Sequence, residues 1–151
     1  MSDKKTDTDT TEQYDDLGSL TWLDTYRMPV LHPRTGETMY CKDGSEMWID
    51  LLGSESDEIE ALKARFREEN RRLQRKSKDL TPEREDAREI EILVTATKDW
   101  NLQFDGNKLP CTPANAKMLY KLKTPMGVDL KRQVSVAVFS EVNFMGESMI
   151  A

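Results

Sequence analysis

Residues 95–120, TATKDWNLQFDGNKLPCTPANAKMLY, gather a tryptophan, a glycine turn and two prolines into one short span of a highly charged chain. How this span divides among helix, loop and strand decides the fold. On its N-terminal side, Thr81 and Pro82 form a helix start: a threonine N-cap, then a proline at the first helical position, where its missing N–H costs nothing. The segment 82–100, PEREDAREIEILVTATKDW, places Ala87, Ile90, Leu93, Val94 and Thr97 on one apolar face that Ile92 widens, and reads as the central helix. QFDGNKLPC then reads as a loop leading to a second Thr-Pro start at Thr112 and Pro113, with a short helix over PANAKMLYKL.

Thr124 and Pro125 repeat the device. The last helix, about 126–142, carries enough β-branched residues for a strand over 134–139 to compete. The three-four spacing of Leu130, Val134, Ala137, Val138 and Glu141 favours helix. Upstream, SESDEIEALKARFREENRRLQRKSKDL has the same period, with Ile59, Leu62, Phe66 and Leu73 on one narrow stripe and charge elsewhere. Ser54 and Asp57 resemble a capping box, and Asp57, Glu58 and Glu60 suit the positive end of the helix dipole. The short break at Lys78 to Thr81 predicts an antiparallel hairpin between this helix and the next.

Before residue 54 the period is two. PRTG and KDG are turn signals, with Gly36 and Gly44 free to take positive φ. Short antiparallel strands are expected at about 26–32, 37–42 and 46–52, with Met28, Val30, Met39, Cys41, Met47, Ile49 and Leu51 facing a helix, because so small a sheet is unstable alone. The fold expected is therefore α+β: mainly helical, with a small N-terminal antiparallel β-hairpin or three-stranded sheet. One domain spans 21–144, with its β element at 22–53 and helices at 54–143. An acidic tail (1–20) with little to bury and a flexible C-terminal tail (145–151) flank it.

Composition narrows the function. The chain has 151 residues, 37% of them hydrophobic and 33% charged, with a net charge of −6. That balance argues against a surface devoted to nucleic acid or anionic lipid. No apolar run approaches the roughly 20 residues of a membrane helix, and the N-terminus lacks an apolar signal core, so a cytoplasmic location is expected. Cys41 and Cys111 stand far apart in no ligand spacing and read as free thiols.

His32, the single histidine, lies just before Pro33 with no nucleophile system around it. Phosphate loops, dinucleotide fingerprints and metal motifs are missing from the sequence. The expectation is a binding protein without catalytic residues, cofactor or metal. One candidate surface is the basic run of Arg65, Arg67, Arg71, Arg72, Arg75, Lys76 and Lys78, seven cations against two acids between 65 and 78. It could neutralise phosphates, yet its acidic flanks and lack of interleaved aromatics favour a solvated face or one meeting an acidic protein. A second is the end of the chain, NFMGESMIA, where Phe144, Met145, Met149 and Ile150 follow the last helix and read as an exposed apolar tail that docks on a partner.

Several elements recur in a fixed order from about residue 28 to 144: PVLHPRTGE, LLGSES, the charged helices, then Trp100 and Asn101, an acidic loop with Gly106, Pro110, TPANA at 112–116 with Asn115 inside it, Leu119, Tyr120, Pro125, Gln133, Val134, and finally Asn143 and Phe144. This layout resembles the tail assembly chaperones, or minor tail proteins, of tailed phages. It departs in having KDWNLQF where a plainer acidic loop is usual, and in a longer, more acidic N-terminus. The resemblance implies a non-enzymatic protein of the host cytoplasm that coats the long, helix-rich tape-measure protein while tail-tube subunits polymerise around it. Homo-oligomers are compatible with that role. It also implies Trp100, Pro110, Thr112, Asn115, Leu119, Tyr120, Asn143 and Phe144 as the motif or partner-binding residues. Two other readings stay open: a minor structural protein retained in the virion, and a nucleic-acid-binding accessory protein using the basic helix.

Overall fold

In the computed structural model, which describes residues 17–18 and 20–147, the three Thr-Pro pairs set three helix starts. Thr81, Thr112 and Thr124 hold extended backbone, and their hydroxyls accept from the N–H of Arg84 (3.3 Å), Asn115 (3.1 Å) and Gly127 (3.1 Å). The helices they open are α2 (Pro82–Ala96), α3 (Pro113–Tyr120) and α4 (Pro125–Phe139). Ahead of them stands α1 (Asp57–Arg75). Its N-cap is Ser56, not Ser54. The Ser56 side chain accepts from Ile59 N–H, while Ser54 is buried, donating its N–H to the Val138 carbonyl and offering its own carbonyl to Lys63 Nζ. The far end of α1 closes by a Schellman motif: Lys78 N–H reaches Leu73 O, Ser77 N–H reaches Gln74 O, and Ser77 takes φ +55°. Residues 134–139 are helical, as the three-four spacing predicts.

The strands are β1 (Leu20–Trp22), β2 (Tyr26–Pro29), β3 (Trp48–Leu51), β4 (Thr97–Asn101), β5 (Gln103–Phe104), β6 (Asn107–Lys108) and β7 (Met145–Glu147). A three-stranded antiparallel sheet has the order β2-β3-β4. The fold is α+β as expected, but its strands are not confined to the N-terminus. The central helix ends at Ala96 instead of running to Trp100, and the chain passes directly into β4. The cause is tertiary: Leu52 N–H takes the Ala96 carbonyl at 2.7 Å, and β4 pairs along β3. The predicted strand at 37–42 is reduced to isolated bridges, Leu31 with Thr38 and Tyr40 with Glu46, while Gly36 and Gly44 have the expected positive φ.

Alternation sorts the sheet's two faces. Met28, Ile49 and Trp100 are register partners on the buried face, and Arg27, Asp50 and Asp99 are partners on the other, where Arg27 grips Asp50 with two hydrogen bonds of 2.8 and 3.0 Å. A bulge at Lys98 shifts the register between Asp50 and Leu51. Helices cover the buried face, with Leu93, Val134 and Val138 fully buried beside Ile49, Leu51 and Ile59. Gln133 on α4 fastens to the backbone beyond β2, its Oε1 accepting from Leu31 N–H (3.0 Å) and its Nε2 donating to Leu31 O (2.8 Å).

Asp24–Phe144 form one compact unit. A second holds the described residues up to Leu23 together with 145–147, where β1 and β7 make a two-stranded antiparallel ribbon. The tails expected at 1–20 and 145–151 thus contribute ordered strands at their inner ends. Residues 1–16, 19 and 148–151, Met149 and Ile150 among them, lie outside the described residues.

Candidate functional site

The motif from Trp100 to Tyr120 has its large side chains, Trp100, Leu119 and Tyr120, in the interior and Pro110 and Thr112 at the surface. Trp100 is buried on β4 and donates its indole N–H to Leu109 O at 2.7 Å, which folds the β5–β6 hairpin back against the sheet. That hairpin turns on Asp105 and Gly106, both at positive φ (53° and 84°), where a simple loop was expected. Pro110 offers its carbonyl to Asn115 Nδ2 (2.9 Å), and Thr112 caps α3, so together they set where the helix begins. Leu119 and Tyr120 are buried. Thr97 Oγ1 donates to Leu93 O (2.7 Å), so the Tyr120 hydroxyl donates to Thr97 Oγ1 at 2.6 Å. Burial pushes the Tyr120 phenol well above the ordinary tyrosine range.

At the other end of the motif, Asn143 Nδ2 donates to Ala137 O (3.2 Å) near the end of α4. Phe144 is not part of an exposed tail. It is 3% exposed, meets Tyr26 edge-on at 6.0 Å, and lies so close to Gly53 that a Cβ there would come within 2.9 Å of its ring. Met145 is exposed on β7, paired with Trp22.

Three of the seven cations of the basic helix are occupied with its own neighbours. Arg65 pairs with Glu91 on α2, and Arg71 and Arg72 pair with Glu68 one turn back. Arg88 on α2 reciprocates, reaching Glu69 (3.3 Å) and Asn70 (2.7 Å) while lying over the Phe66 ring. These contacts, 65 with 91 and 69 with 88, make α1 and α2 the expected antiparallel hairpin. Arg67, Arg75, Lys76 and Lys78 remain exposed without ion-pair partners among the described residues, the last three gathered where cations suit a helix C-terminus.

The chemistry-bearing residues of the sequence have local duties. His32 Nδ1 accepts from the N–H of Arg34 (3.1 Å) and Thr35 (3.4 Å), closing a turn. Asp43 is held down to about 2 by the Ser45 hydroxyl first, then by Ser45 N–H and Lys108. Cys41 is buried, and Cys111, partly buried, has its thiol raised by desolvation and by nearby Asp99. Among the described residues no group of His, Cys, Asp or Glu has the geometry to hold a metal ion.

Several hollows lie between the described residues. One, of about 120 Å³, is lined by Val30, Met39, Met47, Phe104, Leu119 and Leu130 among others, without an ionisable side chain. Another is a cleft of about 660 Å³ between α2, α3 and α4. Its floor is apolar: Ala87, Ile90 and Val94 from α2, Leu122 from the α3–α4 connection, and Val128 from α4. Val128 is 44% exposed there. The cleft is also lined by Glu83, Asp86 and Glu91 of α2, by Lys117, Lys121 and Lys123 of α3 and the α3–α4 connection, and by Lys131 of α4. Of these seven, Glu91 and Lys131 are engaged in ion pairs, with Arg65 and Glu89, and the other five have none among the described residues. Ala87, Ile90 and Val94 were read from the sequence as an apolar helix face. That this end of the face would be only partly covered had no signal in the sequence, because it depends on how far apart three helices stand.

No family model, curated protein or solved structure matches this chain.

Proposed function

We propose that this protein is a tail assembly chaperone of a tailed phage, a non-enzymatic protein that binds the tape-measure protein in the bacterial cytoplasm before the tail tube encloses it. The open apolar cleft between α2, α3 and α4 carries this reading. A helper for a long helical protein needs apolar contact surface together with charge that keeps the complex soluble, and the cleft offers an apolar floor lined about by acidic and basic side chains. The ordered sequence motif adds support of a different kind, since its residues tie β4 to the hairpin and to α3, one of the three helices around the cleft.

Co-expression with the tape-measure protein encoded in the same phage, followed by affinity capture, tests the proposal. A soluble complex is expected; a tape-measure protein equally soluble and unbound with or without this chain overturns it. Mass spectrometry of purified virions separates it from the virion-protein alternative, since a chaperone is absent from finished particles. The nucleic-acid alternative draws less support from the structure, because Arg65, Arg71 and Arg72 are tied to glutamates. A DNA titration at low salt, where counterion release favours binding most, is expected to show none.

A further inference from the structure

We infer that the cleft between α2, α3 and α4 seats one amphipathic helix of the partner, with its apolar stripe on the floor, a basic flank toward Glu83 and Asp86 and an acidic flank toward Lys117, Lys121 and Lys123. The inference rests on the chaperone reading for the partner's identity and on the cleft alone for its chemistry. Ala87, Ile90 and Val94 follow one another at three- and four-residue intervals, a stripe of the kind one helix offers another. Glu83 and Asp86 come from the helix that carries this stripe, and Lys117, Lys121 and Lys123 from α3 and the α3–α4 connection, all five exposed and in no ion pair among the described residues.

Other opposite charges on adjoining helices of this unit are joined: Arg65 to Glu91, Arg88 to Glu69, and Lys131 to Glu89 at 2.8 Å, with Glu91 and Lys131 themselves lining the cleft. Acidic charges from one helix and basic charges from the elements around it, left unjoined beside an apolar floor, are complementary to an object carrying both signs in reverse.

Other occupants fit less well. A β-strand would need a free sheet edge, and the walls here are helices and their connection. A phosphate backbone would run against Glu83 and Asp86. A small polar ligand would need convergent polar groups on the floor, and the Tyr120 hydroxyl at its edge is already committed to Thr97.

The two sets of charge also fix direction. Turning a helix end for end in the trough exchanges its two flanks, so a partner with fixed flanks runs one way only.

The test uses the full chain and three synthetic helical peptides of about 20 residues, long enough to hold a helix. They share one apolar stripe and differ in flanks: lysine on one side and glutamate on the other, lysine on both, or glutamate on both. By fluorescence anisotropy the mixed peptide is expected to bind about tenfold more tightly than either of the others. In the triple variant Lys117→Glu, Lys121→Glu, Lys123→Glu the preference should pass to the all-lysine peptide. In Glu83→Lys with Asp86→Lys it should pass to the all-glutamate peptide. Thermal melts establish that the variants fold, as expected for exposed positions.

Equal affinity for the three peptides, or an unchanged preference in folded variants, overturns the inference. Capture of the tape-measure protein separates it from the proposed function. Binding that survives both charge-reversed variants unchanged defeats the cleft and leaves the chaperone standing. Mixed-peptide binding with no capture of the tape-measure protein defeats the chaperone and leaves the cleft.

Discussion

The two sides of α2 differ in how far the chain itself completes them. Against α1, its charges find partners: Glu91 meets Arg65, and Arg88 crosses to Glu69 and Asn70 with its guanidinium over Phe66. Toward α3 and α4, the same helix presents Ile90 and Val94 over an open trough, with Glu83 and Asp86 beside it in no ion pair among the described residues. Both sides have similar residue types, so composition does not distinguish them. What differs is completion, and a surface left incomplete in the folded state is the one available to another molecule.

The largest effect that would expose this contrast comes from truncation. Leu93 is fully buried, and Leu93→Ala should cost about 2–5 kcal/mol in urea unfolding. Val128→Ala, on the cleft floor, should stay within about 0.5 kcal/mol. A comparable loss at Val128 would mean the cleft floor is core. Next in size is the charged pair of sites. Arg88→Ala removes two hydrogen bonds and the cover over Phe66 and should cost about 1–2 kcal/mol. Lys121→Ala should leave the melting curve nearly in place, and a double-mutant cycle of Arg88 with Glu69 would show whether coupling is confined to the α1 side.

The central reading of residues 95–120 explains how much of this was legible. Helix starts were, because a threonine cap and a proline are local devices that work within four residues. Core faces were as well, since Met28, Ile49 and Leu93 follow simple periods. The end of α2 was not. Thr95 to Trp100 can continue a helix, and the chain leaves it only because β3, some fifty residues earlier, offers pairing partners to β4. The Asp105-Gly106 turn was a usable hairpin signal that the loop reading passed over. Phe144 was misplaced because its seat is made by Gly53 and Tyr26, nearly a hundred residues away or more. The charges that line the cleft come from separate elements, and no single segment announces them.

Two smaller effects sharpen the comparison away from α2. Ser77 holds a left-handed conformation at the end of α1 that glycine adopts freely, so Ser77→Gly should raise stability by about 1 kcal/mol, read as a higher denaturant midpoint. The smallest concerns acid. Asp43 is lowered from 3.8 to about 2 in the folded protein, so its contribution is present above pH 4 and is lost as pH falls toward 2. Asp43→Asn should flatten the stability profile over that window and change little at neutral pH, as measured by melts at stepped pH.

Gln133 stands with its side-chain amide against the backbone of Leu31, accepting from the N–H and donating to the carbonyl as a neighbouring strand would. With Pro29 supplying no N–H just before it, this stretch of the β2 edge is closed to templated extension by a second polypeptide. A chain that binds apolar partners, as proposed, would be kept from recruiting them, or its own copies, into growing β-structure there.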